Sequence, residues 1–343
     1  MEPLAHLVDS SLRAIDRAMD PRSGFASGRL VRLRRGFYVP TSAWLEAQGH
    51  ERFRLAVAAY ARACPGAVFC GETAVFLHGL PVVRAPLFID VVVRGSTRLG
   101  VRPNTFDVRG DSAAALRARN APPPPIRRHH HEGVDIVAAG EYSTIPLADA
   151  LAEVFAAGRF ARALTVADGM LRASHVASLH ELPELTQAIA ALRCRAHRER
   201  AMTLVSLARG GAESPGESVS RALIHLFGFP EPALQKEFRD SRGFIGRTDF
   251  AWDIAPEPVG EFDGWGKYFS RELTGGEDPR EVISREKRRE SRLLALGHPV
   301  LRWDWSELER PEFLRAKLLE GGLRPERSPL VADRSSWLAG KFA

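Results

Sequence analysis

Cysteine is scarce. Cys64, Cys70 and Cys194 are the only three in 343 residues. Three scattered thiols are too few for a disulfide framework or a zinc site, and their scarcity fits a reducing cytoplasm. Long apolar runs are missing too. No stretch approaches the ~20 apolar residues of a membrane helix. Leu4–Val8 is too short for a signal-peptide core, and an acid follows it directly. Internal repeats are absent. The expectation is a cytoplasmic chain with no membrane partner.

What is present is ordinary in bulk. A hydrophobic content of 45% suits a globular protein, and the length suits two or three domains. A net charge of +6 and a pI near 9.6 tilt the chain mildly toward an anionic partner.

The most informative stretch is Gly246 to Lys267. Two short apolar runs, Thr248–Trp252 and Val259–Gly264, flank the turn-rich Ala255–Pro258, a pattern of strands around a turn. Each run carries an acid where a buried strand is normally oily. Residues two apart on a strand share a face, so Glu261 and Asp263 point one way and Phe262 the other. Asp249 joins that face if the loop parity allows, and a loop of Ala255–Glu257 would pair it with Asp263. Two readings stand side by side: a surface hairpin with solvated acids, or a patch of carboxylates whose repulsion and desolvation a hard cation relieves. Near a phosphodiester, such a cation activates water and stabilises the leaving oxygen.

The flanking elements frame this patch. Ser214-Pro215-Gly216-Glu217 reads as a capping box opening a helix that ends at Gly228. A hairpin from Leu234 to about Ile254 turns at Ser241–Gly243. After the strand from Val259, a basic helix runs from Pro279 to Leu296, and a last strand covers Pro299–Trp303. Arg285, Arg288, Arg289 and Arg292 recur at three- and four-residue steps and stripe one face of the basic helix. Such a stripe suits a phosphate backbone, or else is solvated or paired with Glu281, Glu286 and Glu290. Trp303, on an apolar strand, suits the core. Trp265, in a Gly-bracketed loop beside Asp263, suits stacking on substrate.

Helix, three strands, helix, strand resembles the core of the PD-(D/E)XK nucleases, in particular the branch similar to very-short-patch-repair (Vsr) endonucleases. The resemblance covers about the last third of the chain. It rests on Glu217, Asp249, Glu261-Phe262-Asp263-Gly264, the basic run Arg285–Arg289 and Gly297-His298-Pro299-Val300-Leu301-Arg302. Asp263 stands where the general motif has lysine, and Lys267 stands where the branch has histidine. The resemblance implies a DNA endonuclease using Mg²⁺ or Mn²⁺. Asp249, Glu261 and Asp263 would be its metal ligands, with Asp263 alternatively the base. Glu217 would support the metal, and Lys267 would orient water or steady the phosphate charge. The rival reading is a DNA-binding regulator with a degenerate nuclease fold.

Toward the amino terminus, Leu4 to Met19 carries apolar residues at helical spacing. Arg29–Pro40 reads as a hairpin turning at Arg35-Gly36, with Arg32 and Arg34 on one face. This hairpin, the small-residue helix ending in His78-Gly79-Leu80-Pro81, and Thr144–Ala152 are similar to AbiEi-type antitoxins. That likeness implies a winged-helix-like start that contacts DNA, and a cognate toxin as partner; the residues alone equally suit a basic cap packed on the next domain. Nucleotidyl transfer is rejected: Gly95-Ser96 follows Asp90 instead of preceding it, and no second Asp stands two residues on. Four prolines, Pro122–Pro125, form a stiff spacer. Arg127–His131 after them reads as an exposed basic loop rather than a metal site, since three consecutive histidines cannot all face one ion.

The expected fold class is therefore multidomain α/β. A basic winged-helix-like segment (1–45), an AbiEi-like α/β domain (46–170) and a helical connector (171–212) precede a restriction-endonuclease-like α-β-β-β-α-β domain (213–343).

Overall fold

The structure, a computed structural model, describes residues 7–9, 20–93, 95, 99–264 and 279–330. It is mixed α/β, with three sheets among the described residues. The chain divides into two compact units, Met1–Val154 and Phe155–Ala343. This division differs from the boundaries read at 45/46, 170/171 and 212/213.

The first unit begins with β1 (Val8–Asp9), α1 (Pro21–Ala26), β2 (Leu30–Arg34), β3 (Phe37–Pro40), α2 (Thr41–Glu46) and α3 (Gly49–Ala63). The helix expected over Leu4–Met19 is contradicted at Val8–Asp9, which pair antiparallel with Tyr38 and Phe37. Backbone pairing to a neighbouring strand overrides the helical spacing there. The β2–β3 hairpin forms as expected, with Gly36 at φ +90° in its turn. It is not a projecting wing, because β2 also pairs with β7 (Asp107–Val108). Val31, Leu33, Val39 and Trp44 anchor it in a core shared with Leu55 and Val108.

Between these come β4 (Val68–Phe69), α4 (Gly71–Leu77), β5 (Ile89–Val92) and β6 (Gly100–Arg102); after β7 follow α5 (Ala113–Arg119), β8 (Ile126–His129), β9 (Val137–Ala139) and β10 (Tyr142–Thr144). They build a six-stranded sheet in the order β6-β8-β5-β4-β10-β9. Helix α6 (Leu147–Ala157) follows and runs across the division between the units.

The second unit opens with α7 (Phe160–Ser174), α8 (Pro183–Ala191) and α9 (Arg195–Leu207). Then come α10 (Pro215–Leu226), β11 (Ala233–Asp240), β12 (Gly243–Ala251), β13 (Val259–Asp263), α11 (Pro279–Ala295), β14 (Val300–Asp304), α12 (Trp305–Glu309) and α13 (Pro311–Glu320). The sheet order is β11-β12-β13-β14. The first two pairings are antiparallel and β13–β14 is parallel.

Two helices grip this sheet. Trp303 Nε1 donates to Ser220 Oγ of α10 at 2.8 Å, and its ring stacks on Phe250 at 5.2 Å. On α11, Leu293 packs with Phe238, Ile245, Ala251 and Val259. α10 is in turn tied to α7, where buried Arg221 Nη1 reaches both oxygens of buried Asp168 at 2.7 Å. Gly216 lets α10 sit directly on the Phe262 ring: an added Cβ would lie 2.0 Å from it. A Gly216→Ala exchange gains at most ~1 kcal/mol of helix propensity against about 1–3 kcal/mol of overpacking. It is expected to lower the melting temperature, followed by tryptophan fluorescence. An unchanged or higher value would show that α10 rides loosely on the sheet.

Candidate active site: a polar row across the carboxyl-terminal sheet

Phe250 pairs with Gly260 and Ala251 with Val259. One step further along that register sets Asp249 level with Glu261, so the two share a face. The parity is the one that joins Asp249 to Glu261 and Asp263, although its direct counterpart is Glu261. On β14, Glu261 is paired with Arg302 and Asp263 with Asp304. On β11, Leu234 pairs with Phe250 and Lys236 with Thr248, which leaves Gln235 level with Asp249. Gln235, Asp249, Glu261 and Arg302 thus form one polar row, one residue per strand.

Gln235 has φ +55°, a left-handed backbone for a side-chain-bearing residue, a strain of about 1 kcal/mol or more. Its Nε2 donates to Glu217 Oε2 at 3.1 Å. Glu217 stands in the first turn of α10, where Ser214 Oγ accepts its amide at 3.2 Å. The capping box closes one residue early: Glu217 Oε2 accepts the amide of Glu213 at 2.8 Å, while Oε1 accepts the Ser214 hydroxyl at 2.7 Å.

Asp249 sits electrostatically between the two glutamates. Its Oδ2 accepts the Phe262 amide at 2.8 Å. Glu261 is only 6% exposed. Burial pushes its carboxyl up, Arg289 pulls it down and Asp249 pushes it up again, leaving it at about 7. Glu217 is also raised, first by burial and then by Asp249, against its hydrogen bonds from Glu213 and Ser214.

Two arginines face the acids. Arg289 Nη2 donates to Glu261 Oε1 at 2.9 Å and to Glu286 Oε1 at 2.8 Å, and its Nη1 reaches the carbonyl of Arg247 at 3.1 Å. Arg302 lies 3.3 Å from both oxygens of Asp263 and also bonds Glu286. Arg292 grips Asp240 (2.6 Å) and the carbonyls of Gly243 and Phe244. Of the stripe expected to meet phosphate, Arg289 and Arg292 are therefore turned onto the sheet, while Arg285 and Arg288 are exposed. Asp249 stands level with Glu261 and acts electrostatically on both Glu261 and Glu217; Asp263 stands one step along, held by Arg302. Lys267 and Trp265 lie outside the described residues. Trp252 and Trp303 are buried. In the first unit, Arg32 pairs with Asp107 at 2.7 Å and Arg34 lies over Tyr60. Both line a cleft of about 780 Å³ with Arg35 and Arg62.

The donors suit a hard cation in chemistry: Asp249 and Glu261 offer carboxylate oxygens, while both Glu217 oxygens are engaged in hydrogen bonds. Sequence reading missed Gln235, and it gave Arg302 only as the end of the Gly297–Arg302 motif, without a role. Nothing in the sequence marked the left-handed Gln235.

No family model matches the chain, and no solved structure matches it. Two curated relatives, uncharacterized proteins of Mycobacterium tuberculosis strains CDC 1551 / Oshkosh and ATCC 25618 / H37Rv, are each 32% identical over 166 residues. The match takes in 48% of this chain and 55% of each relative, so the chain spans about half the length of the curated relatives it matches.

The raised Glu261 makes a pH test. Between its ordinary value of about 4.3 and about 7, the folded chain holds a proton that the unfolded chain has released. Stability should therefore fall as pH rises through that window. In chelator, the melting temperature of wild type should drop more steeply from pH 4.5 to 7 than that of Glu261→Gln. Parallel profiles would place Glu261 in water.

Proposed function

We propose that the carboxyl-terminal unit is a divalent-metal-dependent DNA endonuclease of the Vsr-like PD-(D/E)XK type. The observation that carries the reading is that Asp249 and Glu261 stand level on neighbouring strands, with Asp249 raising both Glu261 and Glu217. The order α10-β11-β12-β13-α11-β14 fits the same reading. Asp249 and Glu261 would hold Mg²⁺ or Mn²⁺, with Asp263 as a further ligand or base. The metal supplies an activated water and charge relief at the phosphate. Glu217, fixed by Ser214, Glu213 and Gln235, positions the acids rather than ligating. Arg289 neutralises Glu261 when no metal is bound. Exposed Arg285 and Arg288 offer phosphate contacts, as does the arginine cleft around Arg32 and Arg34. Lys267 and Trp265 keep their proposed roles toward phosphate and base.

A second reading is favoured by the Arg289–Glu261 ion pair itself, which leaves the site self-neutralised. On that reading the protein is an antitoxin-like DNA-binding regulator, with a degenerate nuclease fold and a toxin partner. A cytoplasmic location belongs to both.

The readings separate on Asp249→Asn, which keeps shape and loses charge. The nuclease reading expects Mg²⁺- or Mn²⁺-dependent cleavage of DNA by wild type and none by the variant, with melting in chelator unchanged or slightly raised as repulsion is relieved. Absence of cleavage by wild type across DNA forms favours the regulator. Independently, Arg285→Ala with Arg288→Ala should flatten the salt dependence of DNA binding by about one unit of slope per lost phosphate contact. An identical slope would show that these arginines face only solvent.

A further inference from the structure

The first unit holds a second polar cluster, built on a different chemistry. Cys70 follows β4, and its amide donates to the Asp90 carbonyl at 3.2 Å. The next strand over, β8, runs parallel to β5 and sets Arg127 level with Asp90. The loop expected over Arg127–His131 is contradicted here: Arg127–His129 are strand, because their backbone pairs with β5. Alternate residues turn inward. Arg127 Nε donates to buried Asp90 at 2.5 Å and His129 Nε2 lies 2.8 Å from the same oxygen. His131 Nε2 reaches Glu153 Oε1 of α6 at 3.0 Å. Three consecutive histidines do not all face one point, but period-two alternation brings the first and third to the same side.

Cys70 Sγ, a His131 ring nitrogen and a Glu153 carboxylate oxygen all lie within 4.8 Å of one another. We propose that Cys70, His131 and Glu153 form a zinc site with three protein ligands and a fourth position open to water or an external donor. The three donors offer a thiolate, an imidazole and a carboxylate, a set of mixed softness that favours Zn²⁺ over Mg²⁺ or Ca²⁺. Two anionic ligands and one neutral ligand balance the ion's charge. Tetrahedral bonds of 2.0–2.3 Å separate ligand atoms by about 3.3–3.6 Å, so side-chain shifts of about 1 Å close the site.

The surrounding groups are already arranged as supports. Glu153 Oε2 accepts the Gly71 amide at 3.0 Å, which aims Oε1 at the other two donors. Gly71 holds φ +52°, and a Cβ there would meet the Asp90 carboxylate at 3.3 Å. Asp90 is itself consumed by Arg127 and His129, so it is a neighbour and not a ligand. Cys70 is fully buried, while the His131 and Glu153 side chains retain 19% and 24% exposure, which leaves the open position on the solvent side. Cys70 is thus a buried thiol set directly against the His131–Glu153 pair. The alternative is a buried thiol beside a plain His–Glu pair.

This inference stands on the first unit alone and is independent of the acidic row. Its test uses the full chain, stripped with chelator and titrated with Co²⁺ and Zn²⁺. One tight equivalent is expected, with a thiolate-to-cobalt charge-transfer band that Zn²⁺ abolishes and the acidic row, having no sulfur, cannot produce. The band should persist in Cys64→Ser with Cys194→Ser, which leaves Cys70 as the only thiol, and vanish in Cys70→Ser. Glu153→Gln should weaken Zn²⁺ affinity at least tenfold. Absence of a thiolate band in wild type, or its loss in the double variant with Cys70 intact and folding retained by circular dichroism, would overturn the site. Should Cys70→Ser fail to fold, the double-variant spectrum decides alone.

Discussion

A carboxylate inside a sheet or between helices loses its hydration, and the loss must be met locally. Removing the partner of a buried ion pair typically costs about 3–5 kcal/mol. This chain meets that constraint with arginine at each main junction. Asp168 takes Arg221, which ties α7 to α10. Asp90 takes Arg127 and His129 and fixes the centre of the six-stranded sheet. Glu261 takes Arg289 and ties β13 to α11. The pairs do more to orient elements than to stabilise them, because desolvation consumes much of the Coulombic gain.

The acidic row differs from the other pairs in being overfilled. Asp240 and Glu261 each have an arginine of α11 as partner. Arg292 grips Asp240 through two hydrogen bonds and holds it at about 2. Glu261 stays at about 7 in spite of Arg289, because it is buried and shares its surroundings with Asp249. Arg289 and Arg302 both act on Glu261, but they also serve Glu286 and Asp263, and Glu217 and Glu261 stay above the ordinary carboxylate range.

Much of the carboxyl-terminal unit was legible in the sequence. Period-two patterning, Pro and Gly punctuation and the Ser214 cap marked α10, the β11–β12 hairpin, β13, α11 and β14 close to their observed bounds. The shared face of Glu261 and Asp263 followed from strand geometry, but the position of Asp249 needed the register, which the Ala255–Pro258 turn did not determine. The direction of the arginines was hidden for a different reason. Spacing placed Arg285, Arg288, Arg289 and Arg292 on one stripe, yet Arg289 and Arg292 reach back to the sheet because Glu261 and Asp240 lie within reach of their long side chains. In the first unit, Val8–Asp9 became strand and Arg127–His129 left their loop for the same physical reason: non-local backbone pairing decided the state of short segments.

The central claim is that Asp249 and Glu261 form a divalent-cation site. Electron paramagnetic resonance of Mn²⁺ titrated into the full chain, loaded beforehand with one equivalent of Zn²⁺ and freed of excess so that only a thiolate site is filled, tests it most directly. The account expects one bound Mn²⁺ that Mg²⁺ displaces and that is lost in both Asp249→Asn and Glu261→Gln. Mn²⁺ that stays free in wild type, or binds equally well to both variants, would contradict it.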